Sequence, residues 1–287
     1  MDLVELVDYR EAMKLEEIKP GHCLALANQL LADARAIREE MGRSDDTRLV
    51  PEISGAEPRE CFFEAIVAWR KAARLASEVG AEATGTVPAS PRLRDLKPGH
   101  VHGLLEGIGA QLAAIKRRLA MPDQIPAAAA DLTKQPSDVL VTILKVNREL
   151  SRSLERPFTP SDVYRTVALA SAYATRLGAT PPKVEHERRR KPADCYERLE
   201  GCLTRAAAVI TKRGGTVLAA RGTPADIVPG DVYDLANLVL CELAYLHELT
   251  ADAQPLHAFE PSVTGHRLPS HVHQLARTLE AQLATLS

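Results

Sequence analysis

The feature that most constrains this 287-residue chain is a five-residue pattern that recurs eight times. Proline comes first, then usually a small residue, then Asp, Glu or His, then Val or Cys, and finally an aromatic residue, His or Leu. The copies begin at Pro20, Pro58, Pro98, Pro136, Pro160, Pro192, Pro229 and Pro269. The first two copies match least well. A pattern repeated at intervals of 24 to 40 residues indicates duplication of one structural unit.

Each copy has the chemistry of a helix start. Proline suits the first helical turn because its missing N–H would have no partner there, and an acidic residue two positions later lies near the positive end of the helix dipole. The apolar residues after Val101 fall at Leu104, Leu105, Ile108 and Leu112, which is the helical period. The sequence therefore predicts an all-α protein of eight long helices, in which the pattern is a helix-start device and carries no catalysis.

The spacing of the prolines predicts the domain organisation. The shortest step, 24 residues, separates Pro136 from Pro160 and divides the helices into two sets of four. We expect an N-terminal amphipathic segment at 1–19, a first four-helix unit at 20–156 and a second at 157–287, with one continuous helical array as the alternative. The connectors, of roughly 15 residues, could cross the length of a helix, so parallel neighbours are geometrically possible and the topology stays open.

Charge and hydropathy exclude several classes of protein. The chain has 36 Lys and Arg against 38 Asp and Glu, which excludes nucleic-acid binding driven by bulk charge. No stretch approaches 18 apolar residues, and the start at Met1 lacks the features of a signal peptide, so we expect a soluble chain. The basic stretch from Lys183 to Lys191 is interpreted as a solvated linker, with anion binding as the less favoured alternative.

The five cysteines predict buried, unpaired thiols. Cys23, Cys61 and Cys195 stand where other copies of the pattern have valine, and Cys202 and Cys241 lie in apolar runs. There is no C-x-x-C pair, and the number is odd, which argues against a zinc site and a complete set of disulfides. We expect no metal and no cofactor.

Other candidate chemistry is weak. The histidines flanking Val101 and Val272 are two residues apart, so on a helix they point in different directions and do not form a chelate. There is no G-x-S-x-G sequence and no glycine-rich phosphate loop. We therefore expect no catalytic residues and no enzymatic activity.

Three interior glycines in the helix after Pro98 suggest a functional surface. Gly103, Gly107 and Gly109 each cost about 1 kcal/mol relative to alanine, so something should compensate. Gly103 and Gly107 lie on a face opposite the apolar one. Two interpretations stay open, namely close approach of another helix backbone or a cavity for a ligand.

The fifth position of the pattern supplies further candidates. Tyr164, Tyr196 and Tyr233 recur there, and His102 stands in their place in the third copy. Tyrosine has an apolar ring and a polar tip, so these residues either pack at the seams between helices or line the mouth of a site for an apolar ligand with a hydroxyl group. The candidate ligand-binding residues are Gly103, Gly107, His102, Tyr164, Tyr196 and Tyr233.

The Pro-Ser-Asp-Val-Tyr and Pro-Gly-Asp-Val-Tyr helix starts, with Ala/Leu faces and long connectors, are similar to those of uncharacterised bacterial helical-repeat proteins. The chain also resembles the all-helical component of bacterial sterol-transport systems. That resemblance implies binding of a lipid or sterol, a transport-system protein as partner, and a periplasmic location with the targeting segment removed. If the resemblance does not hold, a cytoplasmic location is expected. Five thiols are unusual in an oxidising compartment.

Two functions follow as hypotheses. In the first, the protein is a non-enzymatic carrier that holds an apolar small molecule between its helices. In the second, it is a helical-repeat scaffold for protein–protein interaction.

Overall fold

Eight α-helices account for most of the computed structural model, which describes residues 17–45, 48, 50–82, 85, 91–122, 129–155, 158–222, 225–251 and 265–286. They are α1 Pro20–Glu40, α2 Pro58–Glu78, α3 Pro98–Arg118, α4 Pro136–Ser153, α5 Pro160–Arg176, α6 Pro192–Lys212, α7 Pro229–Ala251 and α8 Pro269–Leu286. The prediction of an all-α fold with helices that begin at the eight prolines is confirmed. The described residues also include a 3₁₀ turn, Leu93–Asp95, and two three-residue strands, β1 Glu52–Ser54 and β2 Ala219–Arg221. Nearly all of the predicted segment at 1–19 lies outside the described residues.

The helices pack as two compact units, α1 to α4 and α5 to α8, which meet in sequence between Glu155 and Arg156. The second unit also takes in Arg92–Arg94, which the sequence placed in the first. The backbone N–H of Leu93 donates to a carboxylate oxygen of Glu248 in α7, 3.0 Å away, and so holds this short segment in place. That each unit folds by itself stays a prediction.

Within each unit all four helices run in the same direction. In the first unit Pro20, Pro58, Pro98 and Pro136 line one end of the bundle. Helix α1 packs on α3 and α4, and α2 packs on the same two helices, so the order around the bundle is α1, α4, α2, α3. The second unit repeats this arrangement, with α5 and α6 each packed on α7 and α8. The topology that the sequence left open is thus two copies of one parallel four-helix bundle.

Parallel neighbours require long connectors, because the chain must return to the starting end after every helix. The connectors within the units have 15 to 19 residues, whereas the one that joins the units, between α4 and α5, has six. Fifteen extended residues reach about 50 Å, which exceeds the length of about 35 Å for a helix of 23 residues. The connector length that the sequence shows is therefore a consequence of the parallel arrangement.

The core of each bundle repeats the spacing of a parallel coiled coil. We number each helix from its proline as position 1. Positions 4, 8, 11, 15 and 18 of α3 are Val101, Leu105, Ile108, Leu112 and Ile115, and none of them is more than 2% exposed. Alternating steps of four and three residues keep one apolar seam turned toward the neighbouring helices.

Candidate functional site

The third residue of the pattern caps its own helix. In all eight helices its side chain accepts a hydrogen bond from the backbone N–H of the residue before the proline, at 2.6 to 3.0 Å. The acceptors are His22, Glu60, His100, Asp138, Asp162, Asp194, Asp231 and His271. A carboxylate and a neutral imidazole Nδ1 are both acceptors, which explains why Asp, Glu and His exchange at this position.

This role requires the histidines to stay neutral. A protonated imidazole donates from both ring nitrogens and cannot accept the N–H of the preceding residue. Burial lowers the pKa of His100. Burial likewise lowers the pKa of His271, helped by the neighbouring His186 and Arg267. Both shifts favour the capping form.

The second residue of the pattern contacts the connector that leads into a neighbouring helix. The hydroxyl oxygens of Ser137, Ser161 and Ser270 each accept a backbone N–H from the segment just before an adjacent helix, at 3.0 to 3.2 Å. In α1 this position is Gly21, where an added Cβ would stand 2.6 Å from the carbonyl carbon of Asp131. At Gly21 a residue without a side chain is therefore required by the close approach of a connector, whereas α2 has Arg59 at this position.

The fourth residue lies in the core, and its thiol variants form a hydrogen bond between helices. Cys23 Sγ donates to the carbonyl oxygen of Pro98 at 3.2 Å, and Cys61 and Cys195 make the same contact to the first proline of a neighbouring helix. All five cysteines are buried and free, as predicted. Burial raises the pKa of Cys23 to about 12 and that of Cys195 to about 12, so these thiols are poor nucleophiles at neutral pH.

A small cavity lies among the helix starts of each unit. The first, of about 10 Å³, is lined by Pro20, Cys23, Pro58, Cys61, Pro98, Val101, Pro136 and Val139. The second, of about 20 Å³, is lined by Pro160, Val163, Pro192, Cys195, Pro229, Val232, Pro269 and Val272. Spaces of this size hold a water molecule or two at most, and their apolar lining offers few hydrogen bonds. Neither can hold a lipid or sterol.

The two candidate glycines of α3 have different surroundings. A Cβ added at Gly107 would stand 2.6 Å from Cη2 of the Trp69 indole and closer still to Cζ3, whereas one added at Gly103 would have no neighbour within 4 Å. Trp69, in α2, is itself 7% exposed. Close packing is thus what Gly107 provides, although the group that approaches is a side chain and not the helix backbone that the sequence suggested.

The candidate tyrosines pack individually. The ring of Tyr233 stacks on Phe158 with 4.2 Å between centroids. The guanidinium of Arg267 lies 4.6 Å above the ring of Tyr164, which is a cation–π contact. Tyr196 is buried, with 6% exposed. Such contacts are typical of residues that pack at the seams between helices. Seam packing was one of the two interpretations of the sequence, the other being the mouth of a ligand site.

The six candidate ligand-binding residues do not form one site within either unit. His102, whose Nδ1 lies 3.7 Å from a carboxylate oxygen of Glu106, belongs to the first unit with Gly103 and Gly107. The three tyrosines belong to the second unit. Neither set lines the cavity of its own unit.

A buried polar layer was missed by the sequence interpretation. Position 14 of each first-unit helix is polar, and these four side chains, Asp33, Lys71, Gln111 and Glu149, belong to residues that are at most 4% exposed. The sequence did contain a signal, because position 14 is polar in the other unit too. Its residues there are Tyr173, Arg205, Glu242 and Gln282.

Two of these four side chains, Asp33 and Glu149, form ion pairs. Lys116 Nζ lies 2.6 Å from Asp33 Oδ1, and Arg38 Nε lies 2.8 Å from Glu149 Oε2. In the second unit the positions of Asp33 and Lys116 are occupied by Tyr173 and His247, whose rings make a T-shaped contact with 5.4 Å between centroids. Removing one partner of a buried ion pair costs about 3–5 kcal/mol. A polar layer of this kind fixes the axial register of parallel helices.

The connector between α5 and α6 contains a charged surface, the basic connector, residues 183–191. Its backbone is fixed on α8. Gln274 Nε2 donates to the carbonyl oxygen of Val184 at 2.9 Å, and the ring of His186 stacks on that of His271 with 5.1 Å between centroids. The interpretation as a solvated linker describes its exposure, but its conformation is held by neighbouring side chains.

Two acidic residues beside the basic connector, Glu187 and Asp194, are already engaged, whereas Glu185 is exposed. Glu187 forms ion pairs with both Arg190 and Arg277. Asp194 Oδ1 lies 3.5 Å from Arg190 and its other carboxylate oxygen caps α6. The remaining cations of the connector are exposed and have no ion pair within the described residues. They are Lys183, Arg188, Arg189 and Lys191.

The described residues contain neither a metal-binding cluster nor a membrane-spanning helix. Among the described residues no three His, Cys, Asp or Glu side chains are grouped so as to share a metal ion. No described helix combines the length and apolar character that crossing a bilayer demands.

Comparison with known proteins adds no family. A scan against protein-family models, a search of curated proteins and a search of solved structures each gave no match to this chain. The resemblance to helical components of sterol-transport systems therefore stays a prediction.

Proposed function

We propose that the protein is a non-enzymatic scaffold for protein–protein interaction. The observation that carries the proposal is the closed packing of each four-helix unit. Core positions of α3 are at most 2% exposed, and the cavities at the helix starts measure about 10 and 20 Å³. Sites for small molecules usually enclose about 300–1,000 Å³. Tight bundles suit a protein whose function lies on its surface.

The connectors favour the same function. Six long connectors join the helices within the units, and their described parts are mostly irregular chain supported by the helices. Loops on a rigid framework are common locations for binding residues. The pattern residues at the helix starts are used in capping and packing, which leaves the connectors and outer helix faces to meet a partner.

The carrier hypothesis is the competing proposal. It requires the helices to separate, because an apolar ligand would have to displace core side chains such as Leu105 and Ile108. A carrier purified with its cargo would show an added mass in native mass spectrometry, and the compound would appear in an organic extract.

The test combines two measurements on the full chain. Native mass spectrometry should give the mass of the chain without a stoichiometric apolar compound. The urea midpoint should not move on addition of cholesterol or palmitate, whereas a ligand present at a hundred times its Kd stabilises by about 2.7 kcal/mol. A co-purified apolar compound, or a raised midpoint with either probe, would overturn the scaffold proposal in favour of the carrier.

A further inference from the structure

We propose that the basic connector binds a short acidic segment of a partner protein through Arg188, Arg189 and Lys191. This inference rests on the proposed scaffold function and names the chemistry of its partner. It also gives a function to the stretch that the sequence alone left as a linker.

The first support is unbalanced charge. Residues 183–191 contain five Lys and Arg against two Glu. Glu187 is occupied by Arg190 and Arg277, so its charge does not neutralise the exposed cations. A chain with a net charge of −2 thus presents a local positive surface, which attracts anionic groups over about a Debye length of 8–10 Å.

The second support is a fixed and strained backbone. The N–H of Arg190 donates to the hydroxyl of Ser270 at 3.2 Å, next to Arg189. Arg189 has a φ of 61°, a left-handed conformation that favours glycine. An exposed arginine in a backbone conformation that favours glycine is consistent with a function for its side chain. Because the connector backbone is already fixed, the connector itself loses less conformational entropy when a partner binds.

The size of the surface favours a short acidic peptide. The chain bends at Arg188 and Arg189, so residues 188–191 cover less than the roughly 10 Å that four extended residues span, which matches two or three residues of an extended partner. Single DNA-binding modules bury about 600–1,000 Å² and neutralise many phosphates, and stable membrane binding through charge needs clusters of 4–8 cations beside a membrane-directed segment. Arginine also pairs with carboxylates through two parallel hydrogen bonds.

The experiment measures fluorescence anisotropy of a labelled octaglutamate peptide with the full chain at 50 and 300 mM NaCl. We expect the wild type to bind at low salt, and the double variant Arg188→Gln/Arg189→Gln to bind about tenfold more weakly. The matched control is Arg117→Gln/Arg118→Gln, which removes the same charge from exposed positions of α3. It should bind as the wild type does.

A second variant separates binding from folding. Arg189→Gly relieves the strained φ, so it should raise the urea midpoint while weakening peptide binding. Loss of binding through unfolding would instead lower the midpoint.

Three results would overturn the proposal. They are no binding by the wild type at 50 mM NaCl, equal weakening in both double variants, and tighter binding of oligo(dT) or phosphatidylserine vesicles than of octaglutamate. Failure of the scaffold proposal gives a different result, namely a co-purified apolar compound, and it leaves the anisotropy comparison unchanged.

Discussion

A pair of glycines one helical turn apart gives a sharp test of the packing in the first unit. Gly103 and Gly107 both lie in α3, and alanine at either position should gain about 1 kcal/mol in helix propensity. Only Gly107 is covered, because an added Cβ there would stand 2.6 Å from Cη2 of Trp69. A Cβ added at Gly85 would also lie 3.5 Å from the same atom.

The expected free energies follow from these contacts. Gly103→Ala meets open space and should stabilise the protein by about 1 kcal/mol. Gly107→Ala makes the same gain but forces the indole to move, and overpacking of this kind costs about 1–3 kcal/mol. The net effect of Gly107→Ala should therefore range from neutral to about 2 kcal/mol destabilising. The two variants should differ by about 1–3 kcal/mol.

Urea unfolding followed by far-ultraviolet circular dichroism measures this difference. Trp69 is the sole tryptophan of the chain, so its emission reports the contact directly. We expect a shifted emission maximum in Gly107→Ala and none in Gly103→Ala, and Trp69→Phe should reduce the cost of Gly107→Ala. Equal stabilisation of both alanine variants, with unchanged emission, would refute the packing of the indole on Gly107.

The remaining predictions concern the thiols, the two halves and acid stability. Native thiols should react slowly with a disulfide reagent until the protein unfolds, because burial raises their pKa, and rapid labelling of any two of Cys23, Cys61 and Cys195 would contradict this. Fragments 1–155 and 156–287 should each be helical by circular dichroism and unfold cooperatively. The second fragment should be less stable than this unit is in the full chain, because it lacks the Leu93 contact to Glu248. Two molten fragments would instead indicate one continuous core. His100→Asp should reduce the loss of stability on acidification. The pKa of His100 is lowered on folding, so its contribution is complete above pH 6.5 and falls as the pH drops below that value, whereas Asp keeps an acceptor to about pH 4. The test measures how far the urea midpoint falls between pH 7.5 and pH 5. An equal fall in the variant and the wild type would argue against a capping role for His100.

The sequence predicted the helices well because every helix has the same local start signal. Proline, the capping side chain at position 3 and the core residue at position 4 all act within one turn, so they can be identified without tertiary information. The direction of neighbouring helices could not be predicted in this way. A connector of 15 residues is long enough to return along a helix, but its length does not require it to do so.

The candidate site was less predictable because its residues depend on distant contacts. Gly107 stands out in the sequence as a glycine inside a helix, but Trp69, which packs on it, lies 38 positions earlier on another helix. The polar layer at position 14 was overlooked because helical periodicity draws attention to apolar residues. Counting from each proline would have shown that Asp33, Lys71 and their six equivalents are all polar.

The most direct test of the account is the direction of α1 relative to α3, because the parallel arrangement explains both the pattern and the long connectors. Nitroxide labels on introduced cysteines can be placed at Lys19 and Lys97, each just before its helix, and at Glu40 and Arg118, each the last helical residue. The Lys19/Lys97 and Glu40/Arg118 pairs should both give short distances by electron paramagnetic resonance. The Lys19/Arg118 pair should be longer by an axial offset of about 30 Å, since 21 residues of helix separate the two ends. A short Lys19/Arg118 distance, with long distances for the two matched pairs, would show antiparallel helices and contradict the account.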